Sequence, residues 1–505
     1  MNRNETIQAI RREGSVDVVI LGAGVNGACL YDTLCRRGYR VLLLDKGDFA
    51  GGSSQASGMM VWGGLLYLRT LDLATVIRLC ADRDRILADK GDWMAPGMMR
   101  YLPAARHGRS KAWVRCALWL YWLLGRGRRR APSSAAHFRE QALFKPGVVD
   151  GALNYEEAFL ADSDARFVLR WIAPHRRAGQ HRLNHCAVSG AYDSATRRWR
   201  LALRDTIGDQ TLHIDSAMMV NCAGVWTDQV NAAFGIETPF RHVFSKGVYL
   251  TLPRQPEHEG SLFFELGQHG DVITHVPWGP VALWGPTETA VPSIAEGMRA
   301  TRADVDQLLE QYARRYRRAA SRRDIVALRC GIRPLVVARG YSAEVYPLDL
   351  SRRQEVVADR GRPWISCYGG KLTGCSRMAA LAMTHIGRRV RPGAANAPAP
   401  APAPPERPEP ERQYARFPGL SAPVIGAAWS ARHEMCATLD DYLRRRTNIA
   451  QWSPRGGLGE NDCHAGQLQA IALELSDSDQ AAARRMFLAY REKIERELDP
   501  LLRDD

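Results

Sequence analysis

The run "VDVVILGAGVNGACLYDTLCRRGYRVLLLDKGD", residues 16–48, constrains the fold of this chain more than any other stretch. Branched and aliphatic residues up to Leu21 read as a buried strand. Gly22-x-Gly24-x-x-Gly27 then opens a helix, and a second apolar run, 41–44, ends on Asp45. Gly22 permits a tight turn, Gly24 lets backbone approach a pyrophosphate, and Gly27 lets the helix pack closely on the strand. The helix N-terminus offers amide donors and partial positive charge to phosphates. Asp45, 18 residues beyond Gly27, is placed to accept hydrogen bonds from ribose hydroxyls. Strand, loop, helix, strand and acid in this order predict a dinucleotide-binding unit; the loop alone leaves NAD and FAD open.

The chain has 505 residues, room for two or three domains. Beta-rich runs such as "YRVLLLD" and "SAMMVNCAG" alternate with helical ones, which predicts an α/β architecture. The sharpest boundary is "AANAPAPAPAPPERPEPE", 394–411, where Ala-Pro alternation allows neither helix nor ladder and predicts a stiff, extended linker. Beyond it, "SARHEMCATLDDYLRRRTNIA" and "SDSDQAAARRMFLAYREKIERELDPLL" carry apolar residues at three- and four-residue spacing. The tail is therefore predicted helical, with Ser476 or Asp477 capping the last helix.

The net charge is +15, much of it from arginines in "GRGRRR" (125–130), "RRYRR" (314–318) and "YLRRRT" (442–447). Such clusters serve nucleic acid, an anionic membrane or an anionic ligand, or simply a solvated face. They lack interleaved aromatics at stacking spacing and no recognised nucleic-acid module is present, which argues against nucleic acid. The 11 cysteines are scattered, with no CxxC pair and no Cys/His cluster at metal spacing. With a polar N-terminus up to Val16, this leads to the expectation of a cytoplasmic chain without disulfides or a metal site. Cys463–His464 is a lone pair, and a zinc role is not expected of it. The longest apolar run, "WVRCALWLYWLLG" (113–125), spans 13 residues and contains Arg115, too short to cross a bilayer. It is tryptophan-rich and followed by arginines, so both an interfacial helix and a core helix stay open.

A further oddity is "VWGGLLYL", 61–68, where Gly63 and Gly64 interrupt an apolar run. Glycine there costs conformational entropy and packs nothing, so something must approach the main chain closely.

Four more stretches fall in order along the chain: "SSQASGMMVWGGLLYL" (53–68), "NCAGVWTDQV" (221–230), "CGIRPL" (330–335) and "CYGGKLTG" (367–374). Together with the opening loop they resemble the landmarks of the FAD-dependent glycerol-3-phosphate dehydrogenase family, within the D-amino-acid-oxidase-like flavoproteins. "ADSDARFVL" (161–169) and "HEMCATLDDYLRRRT" (433–447) have counterparts there too. The resemblance implies an α/β (α+β) fold in three parts. A discontinuous Rossmann-like FAD-binding domain would comprise 1–90, 150–235 and 320–390. An antiparallel-sheet substrate domain would comprise 91–149 and 236–319, with 113–130 as its interfacial segment. The linker, 391–411, would lead to a C-terminal helical domain, 412–505. The cofactor implied is FAD, with Gly63 and Gly64 against the flavin and Ser53, Ser54 and Ser57 donating hydroxyls to the pyrophosphate. Gly369, Gly370 and Thr373 would close the other side, with a helix from about Cys375 aimed at the flavin.

The activity implied by the resemblance is oxidation of a carbon bearing a hydroxyl, with electrons passed to quinone or another acceptor. Arg333 would hold the substrate oxygen, Lys371 would lie near the substrate's anionic end, and Tyr67 would sit beside the flavin. Against the family pattern, Trp62 stands where histidine is usual and Leu66 where arginine is usual. Tyr249 aligns with the family's active-site histidine, and Leu348 with a second arginine. A phosphate dianion needs several charged donors to offset its desolvation. These departures lead to the expectation that glycerol-3-phosphate is a poor substrate and that a larger or less charged hydroxy compound, or an amine, fits better. Oxidation of a C–N bond is the alternative reading. The proton acceptor is open between Tyr249, a water and His275. The inner face of an anionic membrane is a candidate docking surface, and a homodimer stays open.

Overall fold

The computed structural model describes residues 2–103, 109–266, 271–341, 353–392 and 414–503. The Ala/Pro stretch 394–411 and Leu348 lie outside the described residues.

The Ser15–Leu21 strand is the centre of the first sheet. It pairs in parallel with Val41–Leu44 on one side and Gln210–Asn221 on the other, so the strand order reverses beside it. The ends of such strands form a crevice at the switch point. Trp364–Tyr368 and Gln180–Leu183 extend the parallel sheet on its two flanks. Val18 and Ile20 pack one face against Leu30 and Leu34 of the Val25–Arg36 helix. Val19 and Leu21 pack the other face with Ile7 and Ile10 of the Arg3–Glu13 helix. Burial on both faces explains why these strands read as continuous apolar runs.

The second sheet is built around the long Phe240–Pro253 strand, which pairs antiparallel with Ala327–Ala338 so that Ser245 lies opposite Arg333. The sheet is mainly antiparallel, but Ser261–Leu266 runs parallel to Met94–Leu102. Two boundaries differ from the expected division. Ala152–Leu160 and Ala327–Ala338 belong to this second sheet, because each finds its partners there. The chain crosses between the two sheets more often than motif positions reveal.

Beyond 414, the Ala427–Glu434, Ala465–Leu475 and Gln480–Glu497 helices bury Tyr442, Leu468, Phe487 and Tyr490 between them. The first expected tail helix is broken: Met435 turns left-handed at φ 54°, and Asp441–Arg446 forms a π-helical turn. The last helix is capped by Asp479, which accepts from Ala481 and Ala482 N–H, rather than by Ser476 or Asp477. Asp477 and Ser478 have positive φ in the preceding turn and cannot take the extended cap geometry.

Candidate functional site

The glycine loop makes close backbone contacts at Gly22 and Gly27. Gly22 has φ +98°, and a Cβ there would come 2.6 Å from the Cys222 carbonyl oxygen. A Cβ on Gly27 would lie 1.9 Å from the Gly22 carbonyl oxygen, so helix and loop touch backbone to backbone. Gly24 caps the Val25–Arg36 helix without a side chain, and Ser54 Oγ accepts the Val25 N–H at 3.0 Å. That N–H is where a phosphate oxygen would bind. The Asp45 carboxylate accepts from Ala23 N–H at 2.7 Å and Gly47 N–H at 3.0 Å. Burial outweighs these bonds and raises its pKa above the usual carboxylate range. Asp45 thus ties its own loop to the glycine loop while facing the cleft.

That cleft has a volume of about 880 Å³ and is lined by Gly22, Gly24, Asp45, Ser53, Ser54 and Gly370, among others. Trp226 forms part of its wall, with Lys46 Nζ 3.9 Å from the ring centroid. Val25, Ser53, Ser54, Pro334 and Gly370 line both this cleft and a second cavity of about 330 Å³. Gly369 (φ +68°) and Gly370 (φ +114°) turn the chain at this junction, where a Cβ on Gly370 would be 2.4 Å from Asn26 Nδ2. A long slot floored by glycine and fed by a helix N-terminus fits a dinucleotide.

Arg333, Lys371, Tyr249 and Thr373 all border the second cavity. Arg333 lies across Gly247, where a Cβ would come 2.4 Å from Nη2. Its Nη1 is 3.1 Å from Glu288 Oε2 and donates to Ser245 Oγ at 3.3 Å, while Nη2 donates to the Thr287 carbonyl at 3.4 Å. Ser245 in turn donates to Glu288. Lys371 donates to the Tyr67 hydroxyl and lies 4.4 Å from its ring centroid, so Tyr67 stands behind the lysine. Thr373 donates to the Trp62 carbonyl at 3.0 Å. Trp62 and Leu66 both face the cavity, as does Tyr249. Among the described residues its charged lining is Arg333, Lys371 and Glu288.

Several expectations need correction. The Ser57 hydroxyl donates to Asp164 at 2.8 Å and the Ser53 hydroxyl to the Ile332 carbonyl at 2.6 Å, so both protons are spent on protein acceptors. Gly63 and Gly64 are buried, but neither borders the cavities. A Cβ on Gly63 would lie 2.1 Å from the Tyr121 hydroxyl and 2.8 Å from Arg83 Nη1. A Cβ on Gly64 would lie 2.8 Å from Leu79 Cδ1. What comes close to this backbone is therefore the protein's own buried network, in which Glu157 accepts from Gly63 N–H, Arg83 and Tyr121. His275 is off the cavity wall. It is buried against Trp284, hydrogen-bonded to Tyr316 at 2.7 Å, and burial holds it well below the ordinary histidine range. Glu288 was missed because it belongs to no motif; pairing across the long strand hairpins brings it to Arg333. The role of the arginine cluster 442–447, open from the sequence, is in part structural: Arg445 lines the cleft beside Asp441.

The family described as "DAO: FAD dependent oxidoreductase" matches residues 17–372. The chain belongs to this family of FAD-dependent oxidoreductases. It is 25% identical over 397 residues to the aerobic glycerol-3-phosphate dehydrogenase of Staphylococcus saprophyticus, covering 77% of this chain and 70% of the relative. With the aerobic glycerol-3-phosphate dehydrogenase of Escherichia coli it shares 25% identity over 377 residues, 73% of each chain. Its fold is similar to the FAD complex of the glycerol-3-phosphate dehydrogenase of Bacillus halodurans, with a TM-score of 0.69 and 19% identity over 100% of this chain and 99% of that one. The protein is an FAD-dependent oxidoreductase resembling glycerol-3-phosphate dehydrogenases, and FAD is its cofactor.

Proposed function

We propose that this enzyme oxidises a carbon bearing a hydroxyl in the 330 Å³ cavity, and that glycerol-3-phosphate is a poor substrate for it. The observation that carries the reading is that Ser54 and Gly370 line both the dinucleotide cleft and the cavity bordered by Arg333 and Lys371. FAD, when bound, supplies the hydride acceptor. Gly22, Gly24 and the N-terminus of the Val25–Arg36 helix would hold its pyrophosphate, Asp45 would face its ribose, and Gly369, Gly370 and Thr373 would border the end nearest the substrate. Arg333, fixed by Glu288 and Thr287, holds the substrate oxygen and stabilises negative charge as the proton leaves. Tyr249, or a water beside it, takes that proton. Lys371, braced by Tyr67, meets a polar or singly charged group at the other end.

Two cations facing one acid, with Trp62 and Leu66 on the wall, compensate a dianion poorly. An uncharged or singly charged hydroxy compound with an apolar body suits this lining better. Anaerobic reduction of the bound flavin, followed in the parent and in Arg333→Lys, tests the assignment. The parent is expected to be reduced by a member of a hydroxy-compound panel, and the variant to be reduced far more slowly. Reduction by amines alone would favour the C–N reading.

A surface feature supports a quinone as electron acceptor. Trp113, Trp119, Leu120 and Leu123 of the Lys111–Leu124 helix are exposed, and Leu71, Leu73 and Ile77 are exposed on the segment that precedes and begins the adjoining helix. Val114, Leu118 and Tyr121 anchor the opposite face in the core. An apolar face flanked by arginines 126 and 128–130 suits a bilayer interface with anionic lipid, and hence a quinone acceptor. Among the described residues no helix is long and apolar enough to cross a membrane.

A further inference from the structure

The loop 45–55 lines the cofactor cleft for most of its length, from Asp45 to Ser54 and Gln55. Three consecutive arginines of the C-terminal domain hold it at two points. Asp48, 3% exposed, receives Arg445 Nε at 2.6 Å and both terminal nitrogens of Arg446 at 2.6 and 2.8 Å. Gln55 receives Arg444 through its carbonyl at 2.7 Å and Arg445 through Oε1 at 3.2 Å. The π-helical turn Asp441–Arg446 presents all three side chains to one loop. Such turns are rare and cluster at functional positions.

The charges behind this contact are densely paired. Asp441 accepts from Arg445 at 2.8 Å and from His185 at 2.9 Å, and Asp440 pairs with Arg445 at 2.7 Å and with Lys493. Asp48, His185 and Asp441 converge closely enough to suggest cation ligands, but Arg445 and Arg446 already occupy the carboxylates. Removing one partner from such a buried set leaves an uncompensated charge, which makes docking close to all-or-none. Thr438, Asp441 and Arg445 also form part of the cleft wall, so the docked domain and the loop enclose the same space.

We propose that the C-terminal helical domain is a cofactor clamp: Arg444, Arg445 and Arg446 hold the 45–55 loop in its FAD-binding shape, so that domain docking and FAD affinity are coupled. These arginines are positioning residues that act through Asp48 and Gln55. Coupling is reciprocal, so bound FAD strengthens docking of the domain by the same factor by which docking strengthens FAD binding. The inference rests on the FAD site described above. A parent enzyme that failed to rebind FAD would count against that site, whereas the comparison of variants bears on the clamp.

The test uses the full chain, deflavinated and titrated with FAD by fluorescence quenching. Arg444→Gln removes the contact to the Gln55 carbonyl and is expected to weaken FAD binding about tenfold. Asp48→Asn is expected to weaken it further. Arg455→Gln breaks a pair with Asp499 inside the C-terminal domain, away from the loop, and is expected to leave FAD affinity unchanged. FAD should slow proteolytic release of the C-terminal domain in the parent and do so much less in Arg444→Gln, a readout independent of turnover and available if Asp48→Asn does not fold. FAD binding by folded Arg444→Gln as tight as in the parent, equal losses in Arg444→Gln and Arg455→Gln, or proteolysis of the parent indifferent to FAD would each overturn the clamp.

Discussion

Arg333 and Glu288 meet on the wall of the substrate cavity, with Nη1 3.1 Å from Oε2. The guanidinium that would bind substrate therefore already faces a carboxylate. The substrate oxygen can share this arginine with Glu288, but a phosphate dianion at the Lys371 end adds negative charge to a cavity that already holds this carboxylate. Glu288→Gln removes the negative charge and keeps the shape. Its kcat/KM for glycerol-3-phosphate should rise about tenfold relative to that for unphosphorylated hydroxy compounds, the scale of one charge-assisted hydrogen bond. Paired steady-state assays check this.

Gly63→Ala separates two explanations of the glycine pair. The added methyl would lie 2.1 Å from the Tyr121 hydroxyl and disturb the Arg83–Glu157 network. The apo-protein should lose about 1–3 kcal/mol of stability, the usual cost of overpacking a core. Thermal unfolding of deflavinated protein measures it. Unchanged apo stability with lost FAD affinity would return the pair to the flavin.

His185 carries a pH dependence. Burial opposes its charged form, but the hydrogen bond and charge of Asp441 outweigh it and raise the pKa above the ordinary value. The stabilisation is fully present below about pH 6.5, the unfolded value, and is lost as pH rises through the raised folded pKa. The stability difference between the parent and His185→Gln should therefore shrink from pH 6 towards alkaline pH. Thermal melts across that range check the sign.

Leu123 is 62% exposed and Trp119 41% exposed on the Lys111–Leu124 helix. Replacing both with serine should reduce cosedimentation with anionic vesicles severalfold without lowering flavin content, because neither side chain belongs to the core. High salt should weaken parental binding as the arginines are screened.

Much of this was legible in the sequence. The glycine loop, its strands and Asp45 follow from local backbone rules, so Gly22, Gly24 and Gly27 could be given roles before any coordinates existed. Arg333 and Lys371 came from motif resemblance, and both border one cavity with Tyr249. What local pattern could not carry was side-chain partnership over long separations. Ser57 and Asp164, Gly63 and Tyr121, and Asp48 and Arg446 are each brought together by tertiary packing. The role of the arginine run 444–446 stays open in the sequence because a main acidic partner, Asp48, lies far away in the chain.

The most direct measurement is the rate of anaerobic flavin reduction by glycerol-3-phosphate set beside that by hydroxy compounds with apolar bodies and at most one negative charge. A cavity holding Arg333, Lys371 and Glu288 should favour the latter, with glycerol-3-phosphate reducing the flavin slowly even at high concentration. Rapid, complete reduction by sub-millimolar glycerol-3-phosphate, with none by the others, would contradict it.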